Sequence, residues 1–268
     1  MPEYKEQAFP KSRVATIDVC TIGMQKHHIA ALIEVDVTET RKKIKRYKNE
    51  IARISFTAWL IKAISVTVKD NERAASYLKG KKSVVIFNDI NVSLIVEKEV
   101  DGQKVPIPLV IEKANELSIE SITRLISDAR MEVLTKNDIV LKSKSTRSEQ
   151  LYSHMPGFLR RYFWRYLLRH PHFAYSKMGN VGITSLGMMG NVNGWFIPTS
   201  VHPVCFGISS ITKKPVVVDD KVEVREVLNM TILLDHDVID GAPMARFISD
   251  LSRNLEQGIG LQNFAPQD

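Results

Sequence analysis

The sequence predicts an α/β fold, a two-layer sandwich in which helices cover a mixed, largely antiparallel sheet. Strand-like segments rich in β-branched residues alternate with segments of helical periodicity. The pair Asp101-Gly102 separates two strand-like segments and is typical of an antiparallel hairpin. The 268 residues show no internal repeat or low-complexity linker. That suits one large domain or a tight two-lobed one, and we predict a single domain over residues 1–268.

Residue patterns predict the elements of the first half in order. Residues 1–26 indicate an N-terminal arm with a first strand or turn. Thr38 is a favourable cap for a basic helix that runs to about Asn49, and residues 55–68 carry the apolar face of a second helix. The strands are predicted over 29–37, 82–87, 92–98 and 105–111, with a third helix over 118–133.

The second half is predicted to be mostly strands, closed by one helix. The strands are expected around Thr184 and over 204–211, 216–218 and 222–234. Apolar residues recur at helical spacing after Asp240, and Gly258 is a plausible stop. Four apolar side chains between the strands are expected to line a core or an apolar channel: Met188, Met189, Trp195 and Phe196.

Composition excludes several classes of protein. No apolar run approaches the ~20 residues that a membrane span needs, and the first residues lack the apolar core of a signal peptide. Cys20 and Cys205 are too few for a disulfide framework, which favours a reducing, cytoplasmic location. The pair His27-His28 is only a weak metal signal, and we predict no metal site.

The positive charge is unevenly distributed. The net charge is +7, and residues 150–218 contain no Asp or Glu. A second basic run, residues 41–46, is expected to be a solvated helix face. Charge alone is compatible with nucleic acid, but no recognisable nucleic-acid module is present, so we predict no nucleic-acid partner.

A histidine in the run 235–241, Asp-His-Asp-Val-Ile-Asp-Gly, is the strongest candidate for chemistry. Imidazole is the side chain best suited to take a proton from a thiol or hydroxyl near pH 7. A strand-like segment precedes His236, and a helix is predicted to follow it with Asp240 as N-cap and Pro243 in its first turn. His236 is therefore expected on a strand-to-helix connection, where catalytic groups often lie. The alternative is a structural histidine beside a helix cap.

A second motif strengthens the catalytic interpretation. Segment 182–187, Gly-Ile-Thr-Ser-Leu-Gly, places Thr184 upstream of His236 on a separate predicted strand. Together the two motifs resemble the catalytic domain of the dihydrolipoyl acyltransferases of 2-oxo acid dehydrogenase complexes, which has a chloramphenicol acetyltransferase-like fold. That family carries a His-x-x-x-Asp-Gly motif near its C-terminus and an Ile-Ser/Thr-x-x-Gly segment before it.

The resemblance covers most of the chain but has three departures. Segments 34–38 (Glu-Val-Asp-Val-Thr) and 105–111 (Val-Pro-Ile-Pro-Leu-Val-Ile) match the family in order. No lipoyl domain, lipoylation motif or peripheral-subunit-binding domain is expected here. Asp237 stands where the family has Arg. A stretch at about 142–178 is longer and more basic than the family norm, which predicts a basic aromatic insertion.

The resemblance implies a mechanism and a set of partners. His236 would be the general base and Thr184, from the adjacent subunit of a homotrimer or a multiple of three, the oxyanion donor. Asp240 would pair with Arg13 and, with Gly241, shape the loop. Coenzyme A would be a substrate drawn in by positive charge, and a lipoyl group, if used, would be supplied by a separate lipoyl-bearing protein.

Two other functions remain open from the sequence. The chain could be a non-catalytic oligomeric scaffold, or a peripheral membrane protein whose aromatic and arginine-rich segment, residues 154–169, docks on anionic lipid. For that segment, packing against a neighbouring subunit or the rest of the domain is the preferred interpretation, and membrane contact is not favoured.

Overall fold

A six-stranded sheet organises the chain. The computed structural model describes residues 2–7, 9, 13–100, 103–131, 155–186 and 193–261. The sheet has the order β1-β8-β7-β6-β4-β5. Its strands are β1 (His28–Asp36), β4 (Val92–Val100), β5 (Gln103–Ile111), β6 (Val181–Ser185), β7 (Val204–Val218) and β8 (Lys221–Asp235). A separate hairpin joins β2 (Tyr77–Lys79) to β3 (Ser83–Val85).

The strand directions confirm a mixed, largely antiparallel sheet. β1 pairs with β8, β8 with β7, and β4 with β5 in antiparallel register, whereas β6 is parallel to both β4 and β7. Val100 pairs with Gln103, so the predicted hairpin between β4 and β5 is confirmed, although its turn lies outside the described residues.

The described helices are α1 (Arg13–Gly23), α2 (Thr38–Glu50), α3 (Phe56–Asp70), α4 (Ile119–Met131), α5 (Gly157–Arg169), α6 (Pro171–Met178) and α7 (Gly241–Gln257), with a short 3-10 helix at Glu72–Ala75. The helices α3, α4 and α7 pack together and contribute the helical side of the main core. Phe206 of β7 meets Phe247 of α7 there, with ring centroids 6.4 Å apart. This is the two-layer sandwich that the sequence predicts.

Three local predictions are wrong for identifiable reasons. The N-terminal region forms the helix α1 rather than a strand or turn, and its buried side includes Asp18 and Ile22. Thr38 begins α2 instead of capping it, because its backbone N–H and hydroxyl both donate to the Asp36 carboxylate. Strands 204–211 and 216–218 are one strand, because β8 pairs with β7 past Ile208 and as far as Val218.

Candidate active site

His236 lies directly after β8, on the loop that leads into α7. Its side chain is exposed and makes no hydrogen bond with the described residues, whereas Val238 and Ile239 anchor the same loop in the interior. Asp240 occupies the N-cap position of α7, and its carbonyl accepts from Met244 N–H at 3.0 Å, but its side chain makes no capping bond. The predicted strand-loop-helix setting is confirmed, and the imidazole points towards solvent in the single chain.

A buried ion pair holds the base of this loop. Lys26 Nζ lies 2.5 Å from Asp235 Oδ2, and the Asp235 side chain is only 2% exposed. The backbone N–H of His236 donates to the carbonyl of His27 at 3.0 Å. The turn between α1 and β1 therefore fixes the residues on both sides of the His236 backbone, which preorganises the position of the imidazole.

His27 and His28 both make hydrogen bonds at this turn. His27 Nδ1 lies 2.9 Å from Asp237 Oδ1, and this hydrogen bond raises the pKa of His27. His28 Nε2 donates to the carbonyl of His202 at 2.9 Å, while burial lowers the pKa of His28. Asp237, which replaces the family's Arg, thus forms part of the loop's attachment. The described residues contain no cluster of His, Cys, Asp and Glu that could hold a metal ion.

The predicted ion pair between Arg13 and Asp240 is not formed in the described chain. Both side chains are exposed, and neither has an ion-pair partner among the described residues. The buried acid of α1 is instead Asp18, which accepts from Arg160 Nε of α5 at 2.7 Å. The His236 loop is therefore held by Lys26, which lies just before β1. Lys26 reaches Asp235 because β1 pairs with β8 along its whole length.

Gly241, the other predicted support, begins α7 at an exposed position. A Cβ atom added there would meet no atom within 4 Å, so the single chain does not require glycine at this point.

Thr184 lies one residue from the end of β6, on the sheet face opposite the main core. Thr184 pairs with Gly207, and Gly207 pairs with Thr231, so the three form one row across the sheet. Segment 193–200 crosses this face, and Thr231 donates to the carbonyl of Phe196 at 2.8 Å. A Cβ at Gly207 would lie 3.1 Å from Pro198, which explains why glycine stands at that crossing.

Within one chain, Thr184 and His236 stand at opposite ends of β6. Leu234 pairs with Val204, so His236 lies beyond the amino-terminal ends of β6 and β7. His236 is five residues past Thr231, and two strand spacings separate β8 from β6, which puts the two Cα atoms roughly 19 Å apart. An oxyanion donor must lie about 3 Å from the oxygen that the attacked carbonyl develops, so one chain cannot bring both groups to one carbonyl.

A cavity of about 330 Å³ borders the strand that carries Thr184. It lies between α2, α3 and the bulge in β7, and Ile183 and Ser185 line it, whereas Thr184 points to the other face. Ser209 also lines the cavity, and its buried hydroxyl has no hydrogen-bond partner in the described part of the chain. A buried hydroxyl without a partner is unusual, and a polar ligand in the cavity would satisfy it.

His202 lies just before β7, and its buried ring holds the strand ends on the same side of the sheet as the His236 loop. Its Nε2 donates to the carbonyl of Met178 at 3.0 Å, and its Nδ1 accepts from the Ser200 hydroxyl at 3.2 Å, which suits the neutral ring. Gly182 leaves room for it, since a Cβ there would lie 2.8 Å from the ring. Burial lowers the pKa of His202 to about 4.

We expect the protein to lose stability between pH 6.5 and pH 4 because of His202. The folded pKa lies below the unfolded value of 6.5, so in this window the unfolded chain binds the proton and the folded chain does not. Stability is full above pH 6.5 and falls by up to about 3 kcal/mol towards pH 4. Urea unfolding across this range measures the slope, and His202→Gln should flatten it. An unchanged slope in that variant would contradict the assignment.

Sequence reasoning missed the ion pair of Lys26 with Asp235. An acid that directly precedes a candidate catalytic histidine in a buried strand needs a cation, and this signal was available. Sequence reasoning also predicted a core or apolar channel lined by four residues, of which only part can be checked. Trp195 is not in a core: it is partly exposed, donates from Nε1 to the carbonyl of Ile33, and has the Lys214 ammonium 5.4 Å from its ring centroid. Met188 and Met189 lie outside the described residues.

Comparison with solved structures defines the class of fold. A probable dihydrolipoamide acetyltransferase from Listeria monocytogenes superposes with a TM-score of 0.68 at 22% identity, over 98% of both chains. The cubic core of a pyruvate dehydrogenase multienzyme complex superposes with a TM-score of 0.66 at 17% identity, over 97% of this chain and 98% of that one. The fold is that of dihydrolipoamide acyltransferase catalytic cores.

Sequence comparison identifies the family. The family model described as 2-oxoacid dehydrogenases acyltransferase (catalytic domain) matches residues 9–142 and 174–261, and the chain belongs to this family. The lipoamide acyltransferase component of the Bacillus subtilis branched-chain alpha-keto acid dehydrogenase complex is 27% identical over 95% of this chain. The dihydrolipoyllysine-residue acetyltransferase component of the Mycoplasma genitalium pyruvate dehydrogenase complex is 24% identical over 97%. The chain spans 56% and 60% of the lengths of these two relatives.

Proposed function

We propose that the chain is a coenzyme A-dependent acyltransferase that exchanges an acyl group between coenzyme A and a second thiol of the dihydrolipoyl type. The observation that carries the proposal is the exposed His236 imidazole on a loop fixed by the Lys26–Asp235 ion pair. An unpaired imidazole held in place and open to solvent is suited to act as a general base near neutral pH.

The chemistry requires one proton carrier and one oxyanion donor. His236 takes the proton from the attacking thiol, and the sulfur adds to the thioester carbonyl to give a tetrahedral intermediate. The Thr184 hydroxyl donates to its oxyanion. When the intermediate collapses, the carbon–sulfur bond to the first thiol breaks, and the departing sulfur receives the proton from His236. Asp240 and Gly241 shape the loop and transfer no proton.

The relatives support this assignment. Both curated relatives are acyltransferase components of 2-oxo acid dehydrogenase complexes, one named for lipoamide and one for a dihydrolipoyllysine residue. A solved structure of the Azotobacter vinelandii dihydrolipoamide acetyltransferase superposes with a TM-score of 0.67 at 17% identity, over 97% of this chain and 94% of that one. That structure belongs to an investigation of the role of a serine, a histidine and an asparagine in the catalytic mechanism of that enzyme. Thr184, His236 and Asp240 are the corresponding candidates here.

We propose further that the active site is shared between subunits of a homotrimer or a multiple of three. The separation of Thr184 from His236 along β6 supports this proposal, because the two groups can act on one carbonyl only if they meet across an interface. Exposed apolar side chains beside the site support this, since monomers rarely leave such patches uncovered. Those on β1 and on the segment that crosses the face of Thr184 are Ile29, Leu32, Trp195 and Ile197.

Mixing two inactive variants tests both the reaction and the shared site. Thr184→Ala and His236→Ala chains, each inactive alone, are denatured together and refolded, and transfer from acetyl-coenzyme A to dihydrolipoamide is followed. In a cyclic trimer an interface can take His236 from one variant and Thr184 from the other, so about a quarter of the sites should be intact. A mixture no more active than its components would contradict the shared site, and an inactive wild-type protein would contradict the reaction.

We propose that coenzyme A binds in the cavity beside β6. The Ser209 hydroxyl, which has no partner among the described residues, and the adjacent Arg41, which pairs with Glu226, offer polar contacts for a substrate that carries amides and phosphates. The second thiol would be presented by a dihydrolipoyllysine residue, the group that the name of one relative specifies.

A further inference from the structure

Helix α5 lies in a part of the chain that the family model does not match. The match to the family does not include residues 143–173, and the whole of α5 lies in this range. The contacts that hold α5 to the rest of the chain include the ion pair of Arg160 with Asp18 of α1 and the burial of Leu167 in a small cluster with Tyr77 and Ala174. The proposed acyl transfer uses none of these residues, so α5 calls for a separate explanation.

The outer side of α5 is apolar and exposed. Phe158 and Tyr162, one turn apart, are 65% and 66% exposed. Three more large side chains beside them are also exposed: Leu159, Phe163 and Tyr166. The sequence favours packing of this segment against a neighbouring subunit or its own domain, and within the single chain these five side chains stay exposed. They form a stripe along the helix. Its Phe163 and Tyr166 rings each lie 6.5 Å from the Phe173 ring of α6, centroid to centroid, and the rest of the stripe is exposed in the described chain.

Three arginines flank this stripe. Arg161, Arg165 and Arg169 recur every four residues on one side of it, are exposed, and make no ion pair with the described residues. Asp18, which contacts this helix from α1, is bound to Arg160. We call the stripe and the three arginines the aromatic–arginine face. Its charge favours a partner that brings negative charge.

Charge and shape distinguish the possible partners. A second copy that packed its own α5 against this one would set arginines against arginines. A protein partner would need an acidic groove shaped to receive both the rings and the arginines. A bilayer needs no matching groove: rings enter the headgroup boundary and arginines meet lipid phosphates.

We propose that the aromatic–arginine face docks this protein on the surface of a membrane that contains anionic lipid, with α5 lying in the plane of the interface. None of the described helices has the length and apolarity to cross a bilayer, so the contact is peripheral. One helix gives weak, reversible binding, and an oligomer that presents several copies of α5 to one membrane strengthens it through effective concentration.

Vesicle sedimentation tests the proposal. The full-length protein should pellet with vesicles of phosphatidylcholine and phosphatidylglycerol and remain in solution with pure phosphatidylcholine. Arg161→Gln/Arg165→Gln/Arg169→Gln should weaken binding on the order of a hundredfold, because each basic residue contributes at the anionic surface. Phe158→Gln/Tyr162→Gln should weaken it without a change in charge. All these positions are exposed, and thermal unfolding checks that the variants fold.

A matched control separates this face from general positive charge. Lys42→Gln/Lys45→Gln/Lys48→Gln removes three exposed charges from α2, which has no aromatic stripe, and should bind like wild type. No binding by wild type, equal binding to neutral vesicles, or equal loss in the α2 control would each overturn the proposal. So would a change of oligomeric mass in the α5 variants with vesicle binding intact, since the face would then join copies of the chain. Transfer between soluble substrates should be unchanged in the α5 variants, so the outcome is independent of the catalytic assignment.

Discussion

Replacing His236 by alanine is expected to lower acyl transfer by about 10²–10⁴-fold, the usual contribution of a general base. The fold should be unaffected, because the side chain is exposed and makes no hydrogen bond with the described residues. Rates with acetyl-coenzyme A and dihydrolipoamide measure the first effect, and the free energy of unfolding in urea measures the second.

His172→Ala is the matched control for that variant. His172 is also an exposed histidine, but it lies on α6, where its ring meets Phe87 with centroids 5.4 Å apart. Its removal should leave the rate unchanged. If His236→Ala retained activity within a few-fold of wild type, the general base would have to be another group.

Lys26→Met is expected to have the second large effect, on stability and on the rate together. The substitution leaves the Asp235 carboxylate, 2% exposed, without its cation, and breaking a buried pair from one side costs about 3–5 kcal/mol. The His236 loop loses its attachment at the same point, so kcat should fall more than the KM for coenzyme A rises. Urea unfolding and steady-state kinetics on the same preparation give both numbers.

Three further variants separate this role from a general loss of charge. Lys26→Arg should restore most of the stability and the rate. Lys26→Met/Asp235→Leu should recover stability, because an apolar pair can replace a buried ion pair. Lys69→Met breaks the exposed pair with Glu72 and should cost less than about 1 kcal/mol. A loss in Lys26→Met no larger than in Lys69→Met would show that the pair does not anchor the loop.

Local patterns were sufficient where one segment carries the whole signal. The strand before His236, the loop and the helix α7 follow from apolar periodicity, the Asp-Gly pair and the terminal Gly258, whose φ of 69° suits a left-handed helix end. Ser55 caps α3 by accepting from Ala58 N–H, which agrees with the predicted start of that helix. In each case the residues that decide the structure are neighbours in the chain.

Prediction failed where the decisive partner is distant in sequence. The sequence predicts an ion pair between Arg13 and Asp240, whereas the pair that forms in the described chain joins Lys26 to Asp235. The register of β1 on β8 sets His28 opposite Asp235, and this brings the nearby Lys26 within reach of that carboxylate. The continuous β7 depends on its pairing with β8, which extends past Ile208 as far as Val218. Neither the register nor the extent of a strand pairing can be read from one segment alone.

The sequence by itself determined the class of fold, the family and the two candidate catalytic side chains, because these depend on residue type and local spacing. Only the tertiary structure decided where those side chains lie relative to one another. Strand order and direction put Thr184 and His236 at opposite ends of β6, and helix packing turned the aromatic side of α5 outward. Both outcomes come from pairings between distant segments, in which burial of the common core selects one arrangement of the elements from the many that local preferences allow.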